Sequence, residues 1–127
     1  MIAAGFGFRG SATMQSLRAA FDLAASGQVV ACLATAQDKA QADCLTALAD
    51  ELRLPIQPIA AATIRTIPTL THSPQVERLR NTGSLAEACA LAAAGPGARL
   101  ISARHASPDG MATCALATSA PVTGLST

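Results

Sequence analysis

The chain has 127 residues, 50% of them hydrophobic and 2% aromatic, with a formal net charge of +1. That length suits one domain whose core needs no staple. The near-neutral charge and scarce aromatics argue against nucleic acid, which calls for a basic stripe and stacking platforms. No run of ~18 apolar residues suggests a membrane span.

The first predicted element is a strand over Met1 to Phe8, an apolar run with glycines. Ser11 is the expected cap of a helix whose buried face is Met14, Leu17 and Phe21 and which Gly27 stops. Val29 to Ala34 (VVACLA) reads as a strand covered on both faces. Asp38 and Gln41 resemble a capping box for a second helix that buries Leu45, Leu48 and Leu52 and ends at Leu54-Pro55. Ile56 to Ile59 is a third strand, and Ala60 to Thr71 holds one helical turn and a loop around Pro68.

Ser73-Pro74 opens a short helix running to about Arg80. Ser84 and Glu87 spell a capping box for the next helix, with Leu85, Ala88, Cys89 and Ala92 on its apolar face and Gly95-Pro96 at its end. Arg99 to Ala103 and Met111 to Ala117 are two further strands, joined by the turn residues Ser107-Pro108-Asp109-Gly110 into an antiparallel hairpin. The expected fold is a three-layer α/β/α domain over residues 1–117 with a mixed, roughly five-stranded sheet. Residues 118–127 read as a disordered tail.

The cysteines Cys32, Cys44, Cys89 and Cys114 show no CxxC spacing, and His72 and His105 share no helical turn. They read as small buried residues of a reducing compartment, with no metal site and no cofactor. No signal peptide fits the N-terminus, so the expected location is cytoplasmic.

The glycines Gly5, Gly7 and Gly10 spell GxGxxG, the fingerprint of a dinucleotide-binding turn. That fingerprint needs an acid about 20 residues on, at the end of the second strand. The count lands on Val29 and Val30, and the nearest acid, Asp38, sits at a predicted helix start. Two readings of the glycines stay open. They either let strand and helix pack closely, or they expose N–H groups at a helix start, where Arg9 adds a charge that favours an anion.

Five segments in order, GFGFRG (5–10), LATAQDK (33–39), HSPQV (72–76), NTGSLAEACAL (81–91) and ATCALA (112–117), together resemble the CobE family. The same unit forms the C-terminal domain of the larger CbiG proteins. The resemblance implies a role in the aerobic route of cobalamin biosynthesis. The expected partners are a corrin or precorrin intermediate and other enzymes of that pathway. A non-catalytic tetrapyrrole-binding role, as carrier or assembly partner, is the leading expectation. The alternative is hydrolysis of a precorrin lactone or C–C bond, as in the CbiG relatives.

Corrin precursors carry many acetate and propionate groups, and ligands of open α/β sheets collect beyond the carboxyl ends of the strands. Arg9 follows the first predicted strand and Lys39, the chain's single lysine, follows the second. Together with Gly5, Gly7, Gly10, Thr35, Ser73 and Arg104 they form the expected ligand-binding set. Lys39, Glu87 and His72 are the candidates for general acid or base chemistry. Each has an ordinary alternative: a solvated lysine, a capping glutamate and a loop histidine. No nucleophile is legible.

Overall fold

In the computed structural model, residues 1–66, 82–95 and 97–119 are described, except for the side chains of 65, 66 and 82–84. The order is β1 (Ile2–Phe8), α1 (Met14–Ala25), β2 (Cys32–Ala36), a 3-10 turn (Gln37–Lys39), α2 (Asp43–Leu52), β3 (Ile56–Ile59), α3 (Ala61–Thr66), α4 (Thr82–Ala94), β4 (Arg99–Ala106) and β5 (Ala112–Thr118). The five strands form one sheet in the order β3-β2-β1-β5-β4. β1, β2 and β3 are parallel, and β5 runs antiparallel to both β1 and β4. This is the mixed five-stranded α/β fold expected from the sequence.

The two faces of the sheet differ in side-chain size, and that difference sets how close each helix layer comes. Along β1 the residues alternate. Ala4, Phe6 and Phe8 join Leu17, Leu33, Leu45, Leu48 and Leu116 in the core under α1 and α2. Ala3 lies on the opposite side with Cys32, Ala34, Ala117 and the α4 residues Cys89, Ala90 and Ala93. The first face is built from large residues and the second from small ones, so α4 can descend almost onto the backbone. At Gly5 it does: an added Cβ would lie 2.1 Å from the Ala86 carbonyl oxygen and 2.4 Å from the Ala90 nitrogen.

Several boundaries differ from the sequence reading, each for a local reason. β2 starts at Cys32 rather than Val29 because its parallel partner begins pairing only at Ala3↔Cys32, which leaves Val29 86% exposed. Thr13, not Ser11, caps α1: the turn closed by Ala12 N–H donating to the Arg9 carbonyl (3.0 Å) places Ser11 before the cap. The Thr13 hydroxyl accepts from the Ser16 N–H, and the Ser16 hydroxyl accepts from the Thr13 N–H, both at 3.2 Å. Thr13→Ala therefore removes a reciprocal cap, at a cost of about 1 kcal/mol or about 4 °C in thermal midpoint. An unchanged melting curve would show that the cap carries no stability.

The Asp38/Gln41 pair caps nothing. Residues 37–39 form the 3-10 turn, and α2 starts at Asp43 after Ala42, which offers no side-chain cap. Asp43 instead places its charge in the first turn, where the helix dipole favours it. α2 ends with Arg53 in the left-handed region (φ 59°). α4 begins at Thr82, two residues ahead of the predicted cap Ser84, whose side chain is outside the described residues. The predicted helix over 73–80 also lies outside them. β5 reaches Thr118, and the Ser119 N–H donates to the Met1 carbonyl at 3.0 Å. Residues 120–127 lie outside the described residues.

All four cysteines are free: Cys32, Cys89 and Cys114 are buried and Cys44 is half-buried. Burial pushes the Cys89 thiol up to about 12 and raises Cys114 as well. Among the described residues no group of three or more His, Cys, Asp or Glu is placed to hold a metal ion. No helix there is long and apolar enough to cross a membrane.

Candidate functional site

Four strands, β1 to β4, run in one direction, so their carboxyl ends meet at one edge of the sheet. The β4–β5 turn returns at the same edge: the Arg9 N–H donates to the Met111 carbonyl at 2.9 Å. The turns after β1 and β2 therefore emerge side by side, as right-handed crossovers between parallel neighbours require.

Lys39 and Arg9 come together here. The Lys39 ammonium donates to the Phe8 carbonyl at 3.2 Å and lies 5.2 Å from the centroid of the Phe8 ring. It is thus seated on the residue directly before the exposed Arg9. A cation over an aromatic face is attracted by the ring quadrupole, which holds the ammonium in place without neutralising it. The two salt bridges among the described residues belong to Arg18, with Asp22 at 3.1 Å and with Glu51. Neither Arg9 nor Lys39 has a carboxylate partner among the described residues. Gly10 is exposed beside them, with open space where a Cβ would stand.

The glycine motif divides differently from its spelling. Gly5 and Gly7 are strand residues, both buried, and only Gly10 belongs to the turn. Gly5 is there because α4 crosses directly over it, so its role is packing rather than ligand contact. The Gly7 carbonyl accepts from the Thr113 hydroxyl at 3.3 Å, inside the sheet. The F-G-F alternation at period two is the signal that marks these glycines as strand.

Thr35 is also turned inward: it is fully buried, and its hydroxyl donates to the Phe6 carbonyl at 2.9 Å. Its expected role at the open edge is corrected accordingly. The N-terminus of α1 is not an open anion site either. Asp109 of the hairpin turn lies against it, accepting from the Ser16 hydroxyl at 2.7 Å, the Ser107 hydroxyl at 2.5 Å and the Met111 N–H at 3.0 Å. The chain's own carboxylate sits where the helix dipole favours an anion. These donors, led by Ser107 and then Ser16, hold the Asp109 carboxyl below its ordinary value.

Asp109 was readable only as turn chemistry, because nothing in SPDG shows that the hairpin folds back onto α1. A carboxyl depressed in the folded state stabilises above its unfolded pKa, about 4. That stabilisation disappears as the pH falls through the folded value. Asp109→Asn should therefore melt below the wild type at pH 7, and the two midpoints should converge as the pH drops below about 4. A gap that stays constant across that range would contradict the contact.

Glu87 and Arg104 lie on the opposite, α4 side. β4 and β5 lose register between Ser102 and His105, which pair with Leu116 and Cys114. Two residues of β4 thus face one of β5, a bulge that frees an amide from the ladder. Glu87, fully buried on α4, meets it: its Oε2 accepts the Arg104 N–H at 3.3 Å. Glu87 ties α4 to the bulge. The Arg104 side chain is half-buried, and its Nη1 is buried with no hydrogen-bond partner among the described residues. His105 is exposed and lines a shallow hollow of about 270 Å³ with α1 residues, away from Arg104. His72 and Ser73 lie outside the described residues.

The comparisons agree with the fold. Residues 2–117 match the family model described as "Cobalamin synthesis G C-terminus". The crystal structure of CobE, "a protein from the cobalamin (vitamin B12) biosynthetic pathway", is 32% identical, with a TM-score of 0.76 over 92% of this chain and 89% of that one. Cobalamin biosynthesis protein chiG from Agrobacterium tumefaciens str. C58 is also 32% identical, with a TM-score of 0.75 over 95% of this chain and 100% of that one. A putative cobalamin biosynthesis protein G homolog from Sulfolobus solfataricus shares the fold at 20% identity and a TM-score of 0.69, this chain covering 92% of its own length and 36% of the homolog's. No curated protein sequence matches. With the match running from β1 to the last strand, the chain belongs to the family of the cobalamin synthesis G C-terminus and is a protein of cobalamin biosynthesis.

Proposed function

We propose that the chain binds a corrin or precorrin intermediate at the carboxyl edge of its sheet and acts as a carrier or assembly partner for other enzymes of the pathway. The observation that carries this reading is the pair of cations at that edge. Lys39 is pinned on the Phe8 carbonyl and ring beside exposed Arg9, with no carboxylate of the described residues against either. Two uncommitted positive charges on adjacent turns suit the peripheral carboxylates of a corrin precursor.

The carrier reading is preferred to hydrolysis because the two candidate acid–base groups among the described residues, Lys39 and Glu87, do not converge. Lys39 stands over the end of β1, whereas Glu87 is buried against β4, with β5 between those strands. A general acid and base must both reach one reacting centre, and these two sit on opposite sides of the sheet. Incubation with a lactone-bearing precorrin should give binding with no released acetaldehyde. Turnover would favour the hydrolase. Titration of the purified protein with hydrogenobyrinic acid, followed at the visible band, should saturate, and an absence of saturable binding to any corrinoid would remove the proposal.

A further inference from the structure

We infer that Arg104 provides a second carboxylate subsite on the α4 side of the same edge, so that the ligand is a polycarboxylate broad enough to engage it together with Lys39. This rests on the reading of the edge as a carboxylate site. Arg104 is held in place through its main chain, by the Glu87 carboxylate on its N–H within the β4 bulge. Its guanidinium Nη1 is buried and has no acceptor among the described residues. A guanidinium keeps its charge inside proteins, so a buried N–H without an acceptor is a standing cost. A buried orphan donor of this kind asks for an anion to complete it.

Position makes that anion part of the same ligand. Arg104 is two residues from the end of β4, close to the edge where Phe8 ends β1. β4 and β1 are separated only by β5, two strand spacings or about 10 Å. Phe8, on which Lys39 rests, belongs to the core under α1 and α2, whereas Arg104 meets α4. A ligand touching both therefore straddles the sheet edge and presents acid groups at least about 10 Å apart. A small monocarboxylate cannot do this; a macrocycle ringed by acetate and propionate arms can.

The test titrates the intact protein, wild type and Arg104→Met, with hydrogenobyrinic acid and with its fully amidated counterpart. Methionine keeps the apolar stem and removes the charge. The expected result is a loss of about tenfold or more for the free acid and little change for the amide. If Arg9→Ala and Lys39→Ala weaken binding but Arg104→Met does not, the subsite is overturned and the edge reading stands. If the wild type binds no corrinoid, the edge reading falls. Arg104 is then decided by the rise in thermal midpoint in sodium citrate over sodium chloride of equal ionic strength. A rise seen in the wild type and lost in Arg104→Met supports the subsite, and equal rises or none overturn it. Should Arg104→Met not fold, Arg104→Lys, which keeps the charge but loses the planar fork, serves in the same comparisons.

Discussion

Replacing Gly5 with alanine is expected to abolish folding or to lower the thermal midpoint by about 10 °C or more. The methyl group would have to occupy space 2.1 Å from the Ala86 carbonyl oxygen, 2.4 Å from the Ala90 nitrogen and 3.0 Å from the Ala90 Cα. All three atoms are helix backbone, so no rotamer change relieves the clash. α4 must lift from the sheet, and the small-residue core beneath it, Ala3, Cys32, Ala34, Cys89, Ala90 and Ala93, would lose its packing together. Overpacking of this sort costs about 1–3 kcal/mol where side chains can yield. Here it belongs at or above the upper end. The control is Gly10→Ala, where the Cβ meets open space, and a change within about 0.5 kcal/mol is expected. Thermal melts of the two variants decide the matter, and similar midpoints for both would show that α4 does not press on Gly5.

That contrast also explains how far the sequence could be read. The fold was legible because each strand carried its own punctuation: Ile56–Ile59 after Leu54-Pro55, the hairpin around SPDG, the helix stop at Gly95. The errors cluster where tertiary pairing overrode a local signal. Val29 and Val30 have strand propensity, but the parallel partner begins too late to use them. Asp38 and Gln41 have capping chemistry, but their segment winds into a 3-10 turn that delivers Lys39 to Phe8. Ser84 and Glu87 have the spacing of a capping box, yet the Glu87 carboxylate serves a bulge in a strand that comes later in the chain.

The candidate site was half legible. Topology alone places Arg9 and Lys39 on one edge, since consecutive parallel strands must end on the same side. Nothing local could show that Phe8 would seat the lysine, that Asp109 would occupy the end of α1, or that Thr35 would turn its hydroxyl into the sheet. Each of these depends on a partner at least 29 positions away, and the Asp109–Ser16 contact spans 93. The GxGxxG spelling misled for a related reason. Its first glycine answers to a helix 81 residues downstream, and its second lies inside the sheet against Thr113.

The second large effect concerns binding. A charge-assisted contact contributes about 1.5–3 kcal/mol, and about 1.4 kcal/mol is a factor of ten in affinity. Arg9→Ala and Lys39→Ala should each weaken corrinoid binding by about tenfold or more. The two side chains stand on adjacent turns and would meet one ligand, so their effects couple and are read together in the double variant. Folding should change modestly, because Arg9 is exposed and Lys39 makes one hydrogen bond to a carbonyl and one ring contact, with no ion pair among the described residues.

The measurement that bears most directly on the account is therefore a titration of hydrogenobyrinic acid into wild type and the Arg9→Ala/Lys39→Ala double variant, at low salt and with melting curves recorded alongside. The expected result is saturable binding to the wild type, weakened about tenfold or more in the double variant while the two proteins melt within a few degrees of each other. Equal affinity in a double variant that melts like the wild type would contradict it.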